Sequence, residues 1–445
     1  MLKRLMIAAD KSGSGKTTIT CALLAAMKKR NLDIVSFKCG PDYIDPLFHE
    51  KIIGIPSRNL DMFFAGESGI KKEILKEERS GHKYALIEAA MGLFDGLGGI
   101  SSECSAYDTA KVTKTPVVLL LDARGCGRTI ISVIKGILAD DTEHLIRGVV
   151  LNKVSKGFYE LIKPVIEAET KLECLGYFPI CDDAVFDSRH LGLKLPGEII
   201  NYEERIEHLS DIALNTINVD RLVEIMSDAL DFNADEETHS YYIASKKLKL
   251  GVALDDAFCF YYKSNLEEFT KRNVEIVFFS PLSDRALPEG INGLYFGGGY
   301  PELRLAELEK NSSMREAIRM AISNDLPSIA ECGGFMYLHE SIADKEIEYK
   351  MVGAINGKCI NTGKLNRFGY IDLYLKGEII KGHEFHYYDS DNTGAEAKAI
   401  KPVSGRSWNC SFVADNHIWG FPHMYFASNC RIIDRFVRAM EDYSY

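Results

Sequence analysis

Residues 10–18 decide the fold of the first half of the chain, and they read Asp10-Lys11-Ser12-Gly13-Ser14-Gly15-Lys16-Thr17-Thr18. An apolar segment that predicts a buried strand precedes them, and an amphipathic helical pattern follows to about Arg30. A strand, a glycine-rich loop and a helix in this order are typical of a phosphate-binding loop, whose backbone N–H groups and lysine bind phosphate oxygens. We therefore predict an ATP site that includes Gly13, Ser14, Gly15, Lys16, Thr17 and Thr18.

This loop departs from the usual GxxxxGK[ST] pattern at its first position, where Asp10 replaces glycine. Lys11 stands where the variant loops of ParA-like and dethiobiotin-synthetase-like ATPases often carry a lysine. The alternative is a glycine- and serine-rich turn that begins an ordinary helix. Gly-Lys-Thr-Thr directly after an apolar strand favours the phosphate loop over that alternative.

Polar residues also follow the next two predicted strands, residues 33–37 and 84–87. Because open α/β sheets bind ligands at the carboxyl ends of their strands, these residues are expected near the phosphate loop. Thr17, Asp42 and Asp45 can ligate Mg²⁺, Lys38 can meet an anion, and Glu88 is expected as a further Mg²⁺ ligand. The turn that contains Asp95 is expected on the substrate side. A plain Gly-Pro-Asp turn remains an open alternative for residues 40–42.

Further strands alternate with helices up to residue 179, which predicts a doubly wound, mostly parallel sheet. Asn152 ends one of these strands and can read adenine, although a simple strand cap is equally open. Arg189 and His190 can face a carboxylate-bearing substrate or cap a helix. A polar segment without periodicity then predicts a linker, so we expect a first domain over 1–235, a linker over 236–247 and a second domain over 248–445.

The second half contains a cysteine in the segment Ala330-Glu331-Cys332-Gly333-Gly334-Phe335. A cysteine at a strand-to-helix turn with adjacent glycines is typical of a nucleophile elbow, although Cys332 as a small core residue remains an alternative. Gly297-Gly298-Gly299 at an earlier strand end can supply N–H donors for an oxyanion. His423 is a candidate base for the thiol, with His383 and His386 as the others. The His-Glu-Phe-His spacing does not match HExxH, which disfavours zinc there.

Composition narrows the class of protein. Of the 445 residues, 46% are hydrophobic and 26% are charged, as expected for a soluble globular enzyme. The length of the chain predicts two or three domains. A formal net charge of -11 argues against a nucleic-acid partner, and no apolar run is long enough to span a bilayer. The 11 cysteines are scattered without a CxxC pair, which favours reduced thiols in the cytoplasm.

Taken together, the chain resembles the cobyrinic acid a,c-diamide synthase family over nearly its whole length, with the cobyric acid synthases and Ni-sirohydrochlorin a,c-diamide synthases as related groups. The phosphate loop alone is common to many ATPases, whereas the combination of the other motifs is specific. The resemblance rests on residues 12–18, 37–46, 91–96 and 188–193 in the first half, and 278–282, 297–302, 331–338 and 382–386 in the second.

The resemblance implies a dethiobiotin-synthetase-like P-loop domain followed by a flavodoxin-like class I glutamine amidotransferase domain. Cys332 would release ammonia from L-glutamine with His423 as base, and N–H groups of residues 297–299 and of Gly333 would hold the oxyanion. ATP would activate the a and c acetate carboxylates of a tetrapyrrole polycarboxylate. Mg²⁺ would be bound through Thr17, Asp45 and Glu88. Lys38, Asp42, Asp95, Arg189 and His190 are substrate-binding candidates. A homodimer is a further expectation.

Two features depart from this pattern. Tyr425 stands where ordinary class I amidotransferases carry a glutamate two residues after the histidine, so a Cys–His dyad is expected. The segment that ends in His423 is also looser than the usual one. Two alternatives stay open: the same chemistry on Ni-sirohydrochlorin or another corrinoid, and a ParA-like regulatory ATPase whose second domain is not catalytic.

Overall fold

The computed structural model of the chain describes residues 2–181, 188–189, 192–193, 201–234 and 240–443. Contacts between residues divide the chain into two compact units, Met1–Glu236 and Glu237–Tyr445. Among the helices of the described ranges, none is long and apolar enough to cross a membrane.

The first unit is built on a seven-stranded sheet in the order β3-β2-β4-β1-β5-β6-β7. All neighbouring strands pair in parallel, which confirms the predicted doubly wound sheet. Helices cover both faces of such a sheet, so its central strands are apolar along their length. The strands are β1 (Lys3–Ala9), β2 (Ile34–Cys39), β3 (Ser57–Leu60), β4 (Tyr84–Glu88), β5 (Val117–Asp122), β6 (Ile146–Asn152) and β7 (Glu173–Phe178).

The strand order explains where a site can form in this unit. β1 lies directly beside β4, and β4 lies directly beside β2, so the segments that follow these three strands meet at one edge of the sheet. The edge strand β3 was not predicted, because Ser57-Arg58-Asn59-Leu60 is short and has two polar central residues. Parallel pairing with β2 forms it despite that composition.

The helices of the first unit connect these strands. The first of them is largely buried because it packs against the sheet and against the helix at 202–216, which explains its long run of apolar residues. They are α1 (Lys16–Lys29), α2 (Ile44–Phe48), α3 (Met62–Arg79), α4 (Ala106–Val112), α5 (Thr129–Asp140), α6 (Lys156–Thr170), α7 (Tyr202–Thr216) and α8 (Val219–Met226). A π-helical turn, His49–Ile53, follows α2, and two short strands, β8 (Ser188–Arg189) and β9 (Gly192–Leu193), precede α7.

The described residues of the second unit form three sheets. Its strands are β10 (Leu248–Ala253), β11 (Val274–Phe279), β12 (Gly293–Phe296), β13 (Ser328–Glu331), β14 (His339–Asp344), β15 (Ile347–Lys350), β16 (Ile355–Asn361), β17 (Arg367–Leu375), β18 (Glu378–His386), β19 (Tyr388–Ser390), β20 (Ala397–Ile400), β21 (Ser407–Cys410), β22 (Phe412–Val413), β23 (His417–Gly420) and β24 (His423–Met424). Its helices are α9 (Lys263–Thr270), α10 (Leu305–Lys310), α11 (Ser312–Ser323), α12 (Gly333–Leu338) and α13 (Cys430–Asp442).

The main sheet of this unit has the order β11-β10-β12-β13-β23-β22. Its first five strands pair in parallel, and counted along the chain they follow the 2-1-3-4-5 order of flavodoxin-like folds. The predicted flavodoxin-like domain is therefore confirmed. Its core includes the apolar face of α13, where Ile432, Phe436 and Met440 recur at helical spacing.

Two further sheets of the second unit were not predicted. One is a five-stranded antiparallel sheet in the order β21-β20-β17-β18-β24, and the other has the order β15-β14-β16-β19. Their strands are interrupted by glycines and charges, so the alternation of apolar residues along them is weak. The antiparallel sheet matters for the site because it pairs β18 with β24, at the residues His383 and His423.

The segment before β10 is anchored to the second unit. The backbone N–H of Tyr242 donates to Asp434 at 3.2 Å, and the backbone N–H of Ser245 donates to Glu441 at 2.7 Å. Both acceptors lie on α13. Residues 242–245 of the predicted linker therefore pack on the second unit.

Candidate active sites

The phosphate loop wraps the end of β1 and leads directly into α1. Gly13 and Gly15 adopt left-handed φ angles of 79° and 98°, a region that favours glycine. A Cβ atom at Gly15 would lie 2.3 Å from Nδ2 of Asn152, so a larger residue cannot fit there without movement. The Ser14 hydroxyl donates to Asp10 at 2.8 Å, which gives the unusual first residue of the loop a role in closing it.

Lys16 begins α1, and its ammonium lies over the loop. It donates to the backbone carbonyls of Lys11, at 3.1 Å, and of Met91. Burial and the nearby Lys38 ammonium lower the pKa of Lys16 to about 8. Added negative charge, such as that of phosphate oxygens, would favour the charged form of Lys16.

The three expected Mg²⁺ ligands lie together at the edge formed by β1, β2 and β4. The Thr17 hydroxyl is 2.7 Å from Oε1 of Glu88 and 3.2 Å from Oδ2 of Asp45. Lys38 reaches the same two carboxylates, with its Nζ 2.5 Å from Asp45 and 2.6 Å from Glu88. The structure thus brings a hydroxyl, two carboxylates and one ammonium into a single buried cluster, which we call the carboxylate cluster.

Charges in the carboxylate cluster depend on one another. Burial disfavours all three ions, but Lys38 lowers the pKa of Asp45, and the carboxylates raise the pKa of Lys38. Burial raises the pKa of Glu88 to about 7 in spite of Lys38. Asp45 and Lys38 therefore form the charged pair, and Glu88 is the group of the cluster that titrates near neutrality.

The chemistry of the carboxylate cluster fits a hard divalent cation. Carboxylate and hydroxyl oxygens are the ligands that Mg²⁺ prefers, and Oε2 of the fully buried Glu88 makes no hydrogen bond within the described part of the chain. No group of three or more histidine, cysteine, aspartate or glutamate side chains in the described ranges is arranged to hold a metal. The predicted set differs from such a group because its third member is the Thr17 hydroxyl.

The other predicted residues of the first unit have varied surroundings. Asp42 accepts hydrogen bonds from the N–H groups of Ile44, at 2.8 Å, and Asp45, so it helps to begin α2. Asp95 lies in an exposed turn and accepts from the Gly92 N–H at 2.9 Å. Of Arg189 only the backbone in β8 is described, and His190 lies outside the described residues.

Asn152 contacts the phosphate loop from the end of β6. Its amide nitrogen donates to the Ser14 carbonyl at 2.8 Å, and its amide oxygen accepts from the Lys153 N–H at 2.9 Å. These bonds support the shape of the loop. Adenine binding by Asn152 stays a prediction.

His49 was missed in the sequence. It is fully buried, and its Nε2 lies 3.8 Å from Oε2 of Glu88, while Ser36 contacts its Nδ1 at 2.9 Å. Burial lowers the pKa of His49 to about 4, so the ring is neutral beside the carboxylate cluster. Its position four residues after Asp45, one helical turn along, was the available signal.

In the second unit, Cys332 lies between β13 and α12 with φ 46° and ψ -105°. This conformation is strained for a residue with a side chain and is the geometry expected of a nucleophile elbow. The Cys332 N–H donates to the Gly420 carbonyl at 2.9 Å, which holds the turn against β23. Burial raises the pKa of the thiol, and the carboxylate of Glu302 adds to that effect. The resting thiol is therefore protonated.

The glycine loop after β12 lies against His423 and against Gly333, the residue that follows Cys332. A Cβ atom at Gly298 would lie 2.3 Å from Cε1 of His423, and one at Gly333 would lie 3.2 Å from the Gly299 nitrogen. The Gly334 N–H also donates to the Gly297 carbonyl at 3.0 Å. Gly298, Gly333 and His423 are thus brought together around the elbow that carries Cys332.

His423 is buried and stacks on a second histidine. The rings of His383 and His423 are 4.7 Å apart with an interplanar angle of 13°. Burial lowers the pKa of both, that of His383 to about 3. His386 stacks instead on Phe421, at 4.0 Å, and its Nδ1 faces the Tyr388 carbonyl at 2.6 Å. Of the two alternative bases, His383 is the one whose ring stacks on His423.

Glu331 lies directly before Cys332 and connects the cysteine turn to the segment that contains His423. Its carboxyl accepts from the Met424 N–H and lies 2.8 Å from the Tyr295 hydroxyl. Burial raises the pKa of Glu331 to about 8. No role was predicted for Glu331 from the sequence, although its place beside Cys332 was the available signal.

Comparisons with known proteins agree with this division of the chain. Residues 5–191 match the CobQ/CobB/MinD/ParA nucleotide binding domain, and residues 249–428 match the CobB/CobQ-like glutamine amidotransferase domain. A cobyrinate a,c-diamide synthase of Clostridium tetani is 37% identical over 97% of this chain and 99% of its own length.

The chain belongs to the cobyrinate a,c-diamide synthase family. Two further members have the same name. The Clostridium acetobutylicum protein is 37% identical over 98% of this chain and 100% of its own length. The Caldanaerobacter subterraneus subsp. tengcongensis protein is 38% identical over 95% of each chain. The resemblance stated from the motifs is therefore confirmed.

Proposed function

We propose that the chain is an ATP- and glutamine-dependent ligase that amidates the a and c acetate carboxylates of cobyrinic acid, or of its cobalt-free or early-cobalt counterpart, in cobalamin biosynthesis. The observation that carries this proposal is the presence of two different sites. The first lies in the unit that matches the nucleotide binding domain, and the second lies in the unit that matches the glutamine amidotransferase domain. One site has a phosphate loop beside paired carboxylates, and the other has a strained cysteine beside a glycine loop and a histidine. The names of the relatives supply the substrate.

In the second unit, the reaction begins at the thiol of Cys332. His423, which is neutral because burial lowers its pKa, accepts the thiol proton, and sulfur attacks the side-chain amide carbon of glutamine. N–H groups of Gly298 and Gly333 hold the oxyanion. His423 then gives the proton to the amide nitrogen, which leaves as ammonia. Water hydrolyses the remaining thioester and releases glutamate.

In the first unit, a substrate carboxylate oxygen attacks the γ-phosphorus of ATP to form an acyl phosphate. Ammonia attacks the acyl carbon, phosphate leaves, and the amide remains; the activation is needed because a free carboxylate is a very poor acyl donor. Lys16 offsets charge on the transferring phosphoryl group. Mg²⁺, held by Thr17, Asp45 and Glu88, would add positive charge beside the phosphates. Lys38, Asp42, Asp95, Arg189 and His190 are the candidates to orient the macrocycle.

Two alternatives receive less support. A ParA-like regulatory ATPase does not account for a second half that matches a glutamine amidotransferase family. Ni-sirohydrochlorin as substrate would use the same residues, but the relatives carry the name of cobyrinate. The 11 cysteines are scattered along the sequence without a CxxC pair, which suits a reducing compartment, so we propose the cytoplasm as the location. A homodimer stays a prediction.

Mass spectrometry of the products tests this function. With cobyrinic acid, ATP and glutamine, we expect two successive gains of one amide each. The Cys332→Ala variant should lose glutamine-driven amidation and keep amidation with high ammonium, because only ammonia production needs the thiol. If cobyrinic acid showed no mass gain and Ni-sirohydrochlorin did, the proposed substrate would be wrong and Ni-sirohydrochlorin would take its place. Loss of both activities in a folded Cys332→Ala protein would contradict the two-site scheme.

A further inference from the structure

The contact between His383 and His423 follows from strand pairing. β18 and β24 are antiparallel neighbours, and His383 is the residue directly opposite His423. Directly opposite residues project from the same face with Cβ atoms about 5 Å apart, so the pairing alone brings the two rings together. Their centroid distance of 4.7 Å and interplanar angle of 13° show that they lie face to face.

Close backbone contacts hold the two histidines in this register. A Cβ atom at Gly382, just before His383, would lie 2.5 Å from the His423 carbonyl, so the strands approach closely only because residue 382 is glycine. On the other side, a Cβ atom at Gly298 would be 3.2 Å from Nδ1 and 3.3 Å from Nε2 of His423. These near-equal distances place Gly298 at the ring edge between the two nitrogens. The edge of the His423 ring thus faces Gly298, and one face covers His383.

His383 is itself oriented by a buried tyrosine. The Tyr262 hydroxyl lies 3.4 Å from Nδ1 of His383, and the Tyr262 ring packs edge-on against Tyr425 at 5.9 Å. Tyr425 occupies the position two residues after His423. A contact chain therefore runs from Tyr425 through Tyr262 to His383 and on to His423.

We propose that His383 is a positioning residue for glutamine hydrolysis, which fixes the plane of the His423 ring by stacking. This inference rests on the proposed function of His423 as the base for Cys332. A base must meet the thiol proton at hydrogen-bond distance, so rotation of its ring slows proton transfer. When His423 accepts the proton, its cationic ring lies against the π face of a neutral neighbour, which is a favourable contact. Stacking, rather than proton transfer to or from His383, carries the role.

Two substitutions separate stacking from other roles. His383→Phe keeps a flat aromatic ring and removes the nitrogen that faces Tyr262. His383→Leu keeps apolar volume and removes the flat ring. We expect His383→Leu to lower the kcat of glutamine-driven amidation of cobyrinic acid by about 10²-fold, the cost of slight misplacement of a catalytic group, with KM for glutamine nearly unchanged. His383→Phe should stay within a few-fold of the wild type, and both should keep ammonium-driven activity.

His417→Leu is the matched control, because His417 also stacks on an aromatic ring, Trp419, at 4.0 Å in the same unit. It should change neither activity. Wild-type kcat in His383→Leu, or equal losses in the Leu and Phe variants, would overturn the inference. Unfolding of His383→Leu alone, seen by circular dichroism, would also overturn it, because the contact would then be structural. Glutamine-driven activity that survives Cys332→Ala would instead overturn the proposed function.

Discussion

The carboxylate cluster of the first unit and the thiol site of the second both lie at the carboxyl ends of parallel strands, but they differ in charge. In the carboxylate cluster, Lys38 lies between Asp45 and Glu88 at distances of 2.5 and 2.6 Å. The thiol site holds Cys332, His383 and His423, whose pKa values are shifted by burial toward their neutral forms.

This difference matches the chemistry proposed for each site. Phosphoryl transfer proceeds through anionic species, so the first site needs fixed positive charge and cation-binding oxygens. Glutamine hydrolysis begins with a neutral amide, and its base must start uncharged to take a proton. The first site therefore places buried charges of opposite sign against each other, whereas burial favours the neutral forms of Cys332, His383 and His423 in the second. The predictions below test that contrast, beginning with the largest expected effect.

Replacement of Lys16 should have the largest effect. Lys16→Ala removes the ammonium above the phosphate loop, so ATP hydrolysis and amidation with either glutamine or ammonium should fall by about 10³-fold. Coupled ATPase assays and product mass spectrometry measure both. Lys29→Ala, at the far end of α1 in an exposed ion pair with Asp211, is the control and should be unaffected. Turnover retained in Lys16→Ala would mean that the loop is only structural.

Lys38→Met tests whether the stability of the carboxylate cluster depends on the positive charge of Lys38. Removal of one partner of a buried ion pair costs about 3 kcal/mol, so local opening around β2 and β4 should become easier by that amount. Because Mg²⁺ would replace the lost positive charge, its addition should restore much of the stability. Hydrogen exchange of the peptides that contain Asp45 and Glu88 measures this. Lys163→Met, from a half-exposed pair with Glu167, is the control. An equal loss with and without Mg²⁺ would contradict the assignment of these ligands.

The features of both sites that could be predicted are formed by short contiguous stretches of sequence. The phosphate loop and the cysteine elbow are each formed by contiguous residues between a strand and a helix, so their patterns are visible in a short window. His49 lies one turn after Asp45 and could have been found by helical spacing. Contacts that depend on pairing between distant strands could not.

The His383–His423 stack is the clearest case of the second kind. It requires the register of β18 against β24 and the absence of a side chain at Gly382, and no short pattern encodes that pairing. The antiparallel sheet that contains it was missed for the same reason. The tie between Glu331 and the Met424 N–H likewise depends on how β24 lies beside β13.

Two glycines test whether the sites act separately. A Cβ atom would lie 2.3 Å from Asn152 at Gly15 and 2.3 Å from His423 at Gly298. Gly298→Ala should displace His423, the proposed base, and lower glutamine-driven turnover by about 10²-fold, with ammonium-driven turnover unchanged. Gly15→Ala should lower both. Parallel assays with the two nitrogen donors measure the contrast, and Gly136→Ala, in α5 with open space around it, is the control. Equal losses with both donors in Gly298→Ala would remove the distinction.

The last prediction concerns the neutral state of the thiol site, and its effect is the smallest when expressed per pH unit. Burial raises the pKa of Glu331 from 4.5 to about 8, so between these values the folded chain holds a proton that the unfolded chain releases. The free energy of unfolding should then fall as pH rises through that window, by at most about 1.4 kcal/mol per pH unit. Glu331→Gln cannot titrate and keeps an acceptor for the Met424 N–H, so its stability should depend less on pH.

Tryptophan fluorescence during urea unfolding measures this effect in the full chain, because Trp408 and Trp419, the only two tryptophans, both lie in the second unit. His417→Leu is unsuitable as a control here because His417 stacks on Trp419, so Glu340→Gln, an exposed acid of β14, serves instead. Its pH dependence should match that of the wild type. Parallel pH curves for Glu331→Gln and the wild type would show that Glu331 is ionised in the folded chain, and the thiol site would then contain a buried charge as the carboxylate cluster does.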